Sequence, residues 1–281
     1  MSSEHNAPTT AILPSLKSVI QAASGLDRNS LLELQKVIDQ LLIAKAKLEA
    51  ERDSGLASHI EEKLDFEPLT LLKQGVNVWN EWREQNPSLE IDLRHADLGG
   101  ANLQLANLSK VNLEEANLSE ADLRGALLRE ANLKSATLVM ADLVLVNCQG
   151  VCLEKANLQG ADLYKTNLKK ADLTEANLMQ AIIRRANFVE ATLERANLVE
   201  ADLLEANLRQ ANLSKANLMK ANLEKVNLIA AQLEETNLFA TNLRWANLCR
   251  ATLYQANIQR ANLYGATLRG ATMPDGTINN S

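Results

Sequence analysis

Residues 196–215 read ANLVE-ADLLE-ANLRQ-ANLSK: four five-residue units that share Ala, then Asn or Asp, then Leu, and differ in their last two places. The unit continues in both directions without insertion or deletion. Its central position falls at 37 places, every fifth residue from 93 to 273, and Leu fills 32 of them. The exceptions are Cys148, Ile183, Phe188, Ile258 and Met273. Two residues before the centre Ala occurs 29 times in 37, and the residue between is Asn 21 times and Asp 7 times. The remaining two places accept almost anything, charges included. A repeat this regular is read before any local propensity.

Two inward positions per five residues fit neither a helix of 3.6 residues per turn nor a strand of period two. A path that turns one corner per pentapeptide does fit. Leu fills the centre, Ala sits where the wall leaves no room for more, and Asn or Asp suits the bend because its side chain bonds nearby backbone. Four corners close a square coil of 20 residues, although the period alone allows other coil sizes. Coils stacked at about 4.8 Å would make a rod on the order of 45 Å from about nine turns.

The A(D/N)Lxx run resembles the pentapeptide-repeat family, over residues 91–275. That resemblance implies a mainly β fold, a right-handed quadrilateral β-helix. The approach segment Leu71-Leu72-Lys73-Gln74-Gly75, with Trp79-Asn80-Glu81-Trp82-Arg83 and Pro87, is similar to the leader of such repeats in bacterial, particularly cyanobacterial, proteins. Met273-Pro274-Asp275-Gly276-Thr277 is similar to a common family terminus. The expected domains are an α-helical N-terminal cap over residues 1–90, the β-helix over 91–275 and a tail over 276–281.

Within the first ninety residues, Pro14 can open a short helix towards Ser24, with Gly25 as its stop. Ser30-Leu31-Leu32-Glu33 is a capping box. It opens a helix with Leu31, Leu34, Val37, Ile38, Leu41, Leu42, Ala46 and Leu48 on one face. A further helix is expected from 56 to 64, and a last one from Pro68 to before Pro87. This unit either caps the first coil's edge, as a solenoid needs, or dimerises through the Leu31–Leu48 face; the cap is favoured because the heptad signal is short. Trp79 and Trp82 are expected to pack at the joint.

The chain is 46% apolar but only 3% aromatic, which already argues against a conventional core filled by large rings. Three Cys are too few for a disulfide framework and fit a reducing compartment. No signal peptide and no 18-residue apolar stretch is visible, so a cytoplasmic location without membrane insertion is expected.

Residues 20 apart should share a wall. The wall after Leu93 alternates charge from coil to coil, which suits a solvated surface. The wall after Leu98 carries Val139, Met140, Met179, Val199, Met219 and Phe239 outward, an apolar stripe and a candidate contact surface. The wall after Leu108 carries Lys110, Arg129, Lys169, Lys170, Arg209, Arg250 and Arg269 against Glu130 and Glu190, a candidate basic face. Exposed aromatics gather late, at Trp245, Tyr254 and Tyr264 as well as Phe239. The tail after Met273 offers no helix to cover the last coil, so two chains are expected to meet there as a homodimer.

Nothing in the sequence supplies catalysis. There is no CxxC, P-loop, GxGxxG or HExxH pattern, and of the three His only His95 lies in the repeat. Asp122, Asp142 and Asp162 should stack, where they would raise one another's pKa or hold a cation, unless Arg124 and Lys165 neutralise them. No enzyme activity and no cofactor are expected. The first functional reading is a rigid rod that binds an unidentified protein in a regulatory or scaffolding role; the resemblance adds that cyanobacterial relatives are linked to cell differentiation. A second, also implied by the resemblance, is a DNA mimic that modulates gyrase. Residues 91–273 hold 20 basic and 20 acidic side chains, a poor imitation of a duplex with one charge per about 1.7 Å. A third is nucleic acid or membrane surface on the basic face, for which the excess charge is thin.

Leu208→Lys would bury an unpaired charge and should unfold or severely destabilise the rod. Arg209→Glu, one residue on, should leave thermal stability nearly unchanged. Equal melting temperatures for the two variants would refute the inward and outward assignment.

Overall fold

The computed structural model describes residues 68–280. The chain divides into two units, Met1–Phe66 and Glu67–Ser281, and the second is described here. The helices and coiled-coil face expected over residues 14–64 lie outside the described residues. The compositional boundary at residue 90 falls inside the second unit, because the last helical segment packs on the solenoid.

That segment, expected as one helix, is two. Helix α1 spans Pro68–Gln74 and α2 spans Val76–Gln85. Gly75 separates them at φ 126°, a conformation closed to residues with a Cβ. Helix α2 ends at Asn86, whose backbone N–H reaches the Trp82 and Arg83 carbonyls and whose Nδ2 donates to the Trp82 carbonyl. Pro87 then prevents continuation.

From residue 91 the chain coils. In each pentapeptide the central carbonyl accepts the N–H three residues on, as in Ala211 to Leu208 at 3.0 Å. The residue two after the centre has positive φ, the type II requirement. The residue before the centre forms a parallel bridge with its equivalent 20 residues later, for example Asn197 with Asn217 and Asn217 with Asn237. Twenty residues therefore make one coil of four walls. Between coils, Leu198 N–H donates to the Asn217 carbonyl at 2.7 Å and Asn217 N–H to the Ala196 carbonyl at 2.9 Å. Parallel strands this short survive because each wall is bonded above and below.

The interior is filled by the predicted residues. Leu198, Leu203, Leu208 and Leu213 are fully buried, as is Phe188, and the small Ala positions beside them are closed to solvent. Each buried Leu contributes about 2 kcal/mol by removal from water. Where Thr replaces Ala the hydroxyl is satisfied inside: Thr166, Thr236 and Thr241 donate to the Leu143, Leu213 and Leu218 carbonyls at 2.7–2.8 Å.

Asn outnumbers Asp at the bend for a reason beyond local turn chemistry. Its Oδ1 accepts the N–H two residues on, as Asn197 does from Val199. Its Nδ2 also donates to the Oδ1 of the Asn one coil earlier, as in Asn197 to Asn177 and Asn187 to Asn167, both 3.0 Å. Carboxylates do the first and not the second, so an Asp receives the ladder but cannot pass it on.

The two outward places are not equally permissive, contrary to the sequence reading. The second holds φ of 55–72° at every corner from residue 95 to residue 270. Glycine takes six of these corners, and thirty are occupied by other residues, none of them Val, Ile or Thr. The first outward place does accept them, at Val139, Val144, Thr174, Val189, Val199 and Ile229. Left-handed backbone costs a non-Gly residue on the order of 1 kcal/mol, more with a branched Cβ. Straight side chains tolerate it once the coil enforces it.

The two ends differ. At the first coil α2 bonds one wall and covers the interior: buried Trp79 donates from Nε1 to the Asn107 carbonyl at 2.8 Å, Asn80 bonds both Asn107 N–H and the Leu105 carbonyl, and Arg83 donates to the Ser109 carbonyl. Trp79 thus packs at the joint, as expected. At the last coil the tail, expected to leave the edge open, covers one wall. Ile278 bridges Thr272 in antiparallel sense, and Asn279 exchanges bonds with Ala271 and Gly270.

Gln210 sits at a left-handed corner and Arg209 just before it, both exposed. Gln210→Val should lower the melting temperature by about 2–4 °C, the equivalent of about 1 kcal/mol in a domain of this size, whereas Arg209→Val should not. Equal effects in calorimetry would refute the corner rule.

Candidate functional site

The filled interior leaves binding to the four walls and two ends. On the wall after Leu98 the apolar stripe is in two parts. Met179, Val199, Met219 and Phe239 occupy successive coils, half-buried, beside the Asn177–Asn197–Asn217–Asn237 column. Val139 and Met140 stand apart from them, separated by Gln159. Met140 is 63% exposed and leans over Gly160, where any Cβ would meet its sulfur.

The basic wall is partly neutralised. Lys110 lies 3.9 Å from Glu130 and Lys170 3.6 Å from Glu190. Arg129, Lys169, Arg209 and Arg269 share the first outward column, with Arg250 at a corner, and none has a carboxylate within ion-pair distance among the described residues. The wall after Leu93 carries the expected alternating pairs, such as Lys134 with Glu154 at 2.8 Å.

The Asp122, Asp142 and Asp162 stack is real, and at Asp122 the shift runs opposite to the raised pKa considered above. Arg124 pairs with Asp122 at 2.6 Å and reaches Asp142 at 3.4 Å. With Gln104 donating as well, the Arg124 hydrogen bonds hold the Asp122 carboxyl down from an ordinary 3.8 to about 2. Lys165 does not neutralise the stack; its ammonium lies over the Tyr164 ring, 5.2 Å from the centroid. Among the described residues no group of three or more His, Cys, Asp or Glu is placed to hold a metal ion. His95 pairs with Glu115 in the open. Cys148 is buried, which pushes its thiol pKa up. A groove of about 700 Å³ lies between the α1–α2 junction and the Leu98 and Leu103 walls, lined by Leu72, Val76 and Leu103. Its polar lining is Lys73, Gln74, Asn77, Asn102 and Gln104. No helix among the described residues is long and apolar enough to cross a membrane.

The C-terminal end is the most distinctive surface. Trp245 and Tyr264 meet edge to face at 5.4 Å, and Arg244 lies 5.7 Å from the Tyr264 centroid. Arg260 covers the Phe239 ring at 5.4 Å. Trp245 also lies over Gly265, where φ is 70° and a Cβ would come within 2.3 Å of the indole. Tyr254, grouped with these by sequence, faces Gly276 of the tail instead. Arg244 and Arg260 were missed by the sequence reading. Their signal is the run from 236 to 274, which has four Arg and no acid; counting over the whole repeat concealed it.

Comparison with known proteins fits this geometry. The Pentapeptide repeats profile matches in eight copies over residues 90–125, 112–147, 141–180, 186–224, 201–238 and 236–273. The chain belongs to the pentapeptide repeat family. Among solved structures it is similar to HetL, a pentapeptide repeat protein involved in heterocyst differentiation regulation from the cyanobacterium Nostoc sp. Strain PCC 7120, at 31% identity over 71% of this chain and 98% of that one, TM-score 0.34. It is similar to Rfr23 from the cyanobacterium Cyanothece 51142 at 38% identity over 34% of this chain and 58% of that one, TM-score 0.24. QnrB1, a plasmid-mediated fluoroquinolone resistance protein, shares 14% identity over 66% of this chain and 83% of that one, TM-score 0.42. No curated protein matches the chain.

Because the Asp122 pKa is depressed, its ion pair stabilises the fold fully above about pH 4, and that contribution is lost as pH falls towards 2. Arg124→Ala should return the Asp122 titration, followed by carboxyl NMR, towards 3.8. A midpoint unmoved by the substitution would contradict the assigned cause.

Proposed function

We propose that this protein is a non-enzymatic, cytoplasmic interaction rod of about nine right-handed coils that presents fixed surfaces to a partner protein in a regulatory or scaffolding role. The observation that carries this is the division of labour along the repeat. Stability resides in buried Leu, Ala and Asn ladders, and the outward places vary in charge and polarity around them. The Met179–Val199–Met219–Phe239 run is the wall feature best suited to contact, since it is apolar, continuous over four coils and flanked by hydrogen-bonded polar columns. The similarity to HetL supports a regulatory setting. Alternating surface charge does not resemble the uniform negative field of a duplex.

Affinity capture from source lysate should compare the wild type with a Val199→Glu, Met219→Glu double variant, whose folding is checked by circular dichroism. A discrete protein held by the wild type and lost by the folded variant is the expected result. Capture unchanged by the substitutions would remove the stripe as the contact surface.

A further inference from the structure

Among the described residues the apolar interior of the solenoid is covered at the first coil and open at the last. Helix α2 bonds one wall of the first coil and the tail one wall of the last, but the inward Leu93, Leu98 and Leu103 stay buried at the first. On the other walls the N–H groups of Ile258, Arg260, Leu263, Gly265 and Leu268, and the carbonyls of Ala256, Ala261 and Ala266, have no partner among the described residues. Their equivalents one coil earlier are all paired, for instance Leu243 N–H to the Asn262 carbonyl at 2.9 Å and Leu248 N–H to the Thr267 carbonyl at 2.7 Å. The interior is exposed with them: Ile258, Leu263 and Leu268 are half-buried, whereas Leu238, Leu243 and Leu248 are fully buried.

An unpaired edge is a template for an added strand. The tail shows the sense in which this one is used, since Ile278 joins Thr272 antiparallel. Charge decides what else can join. Residues 91–240 hold 16 basic and 20 acidic side chains, whereas residues 241–280 hold Arg244, Arg250, Arg260 and Arg269 against Asp275 alone. None of the four Arg has a carboxylate within ion-pair distance among the described residues, and two of them are held over aromatic rings. Arg, Tyr and Trp are the residues that most often carry binding energy at interfaces. A second copy would set four arginines against four, and like-charge juxtaposition opposes docking. The charge therefore argues against the C-terminal homodimer expected from the sequence.

We propose that the last coil is the docking end for an extended acidic segment of a partner protein. The segment adds as an antiparallel strand to an open wall, its backbone on the free N–H and carbonyl groups. Alternate carboxylates meet Arg244 and Arg260, and the apolar side chains between them cover Leu263 and Ile258. A stretch of about four to six residues is enough to cross one wall at 3.3 Å per residue. This inference rests on the reading of the rod as an interaction scaffold and names the partner's chemistry at a surface separate from the stripe.

The test is fluorescence anisotropy on the full chain with a labelled, end-blocked peptide of alternating Glu and Val. Three competitors accompany it: the Lys–Val counterpart, a version with Pro at alternate positions, and oligothymidine. Saturable binding of the Glu–Val peptide is expected, falling steeply with added salt, lost with the Pro version and weakened at least tenfold by Arg244→Glu with Arg260→Glu. The Val199→Glu, Met219→Glu variant should bind it as the wild type does. No binding, equal binding of the Lys–Val peptide, or binding indifferent to the Arg substitutions would overturn the proposal. Tighter competition by oligothymidine would assign the end to nucleic acid, and a dimer in light scattering that buries the end would assign it to a second copy; either result also overturns it. Failure here with stripe-dependent capture intact would leave the scaffold reading standing, and the reverse pattern would remove only the stripe.

Discussion

The solenoid over residues 91–273 depends on one constraint: the chain turns once every five residues, so that residues 20 apart fall in register. Register places Leu on Leu, stacks the Asn side chains into hydrogen-bonded columns, and sets two backbone N–H groups of each pentapeptide opposite carbonyls in the next coil. A single inserted residue would move every later side chain off its column. The absence of insertions over residues 91–273 is the sequence trace of that requirement.

The cost of the constraint falls on the corners. Thirty non-glycine residues are held in the left-handed region, a conformation unfavourable by on the order of 1 kcal/mol each. They persist because the stack over-determines them: burial of the adjacent Leu and paired backbone on both sides outweigh the local penalty. The penalty constrains composition without dictating identity, which explains why Glu, Lys, Arg and Gln fill most corners while, of the two outward places, only the first takes β-branched side chains. Surface variation is therefore free in charge and restricted in shape.

What was legible in the sequence follows from this. The inward Leu and Ala and the Asn bends could be read because packing leaves those positions almost no choice; the period alone left the coil size open, and the family resemblance supplied the square coil. The left-handed corners could not, since their rule excludes a few residue types and selects none. Gly75 looked like an ordinary helix residue because nothing nearby reveals its φ of 126°. Lys165 was assigned to the Asp stack by proximity in sequence, whereas Tyr164 next to it offers the nearer partner. The concentration of arginine near the C-terminal coil was concealed by a charge count that balanced over the whole repeat. The apolar stripe was visible as residues but not as two separate parts.

The account's central claim is a stack whose cohesion is uniform through the coils, with its apolar interior covered at the first coil and open at the last. Backbone amide hydrogen exchange on the intact chain, resolved by residue, tests it most directly. Strong protection is predicted at Leu238, Leu243 and Leu248, whose N–H groups are bonded to the next coil, with fast exchange at Ile258, Leu263 and Leu268. Protection at the last three equal to that of the first three would contradict the open end and the account built on it.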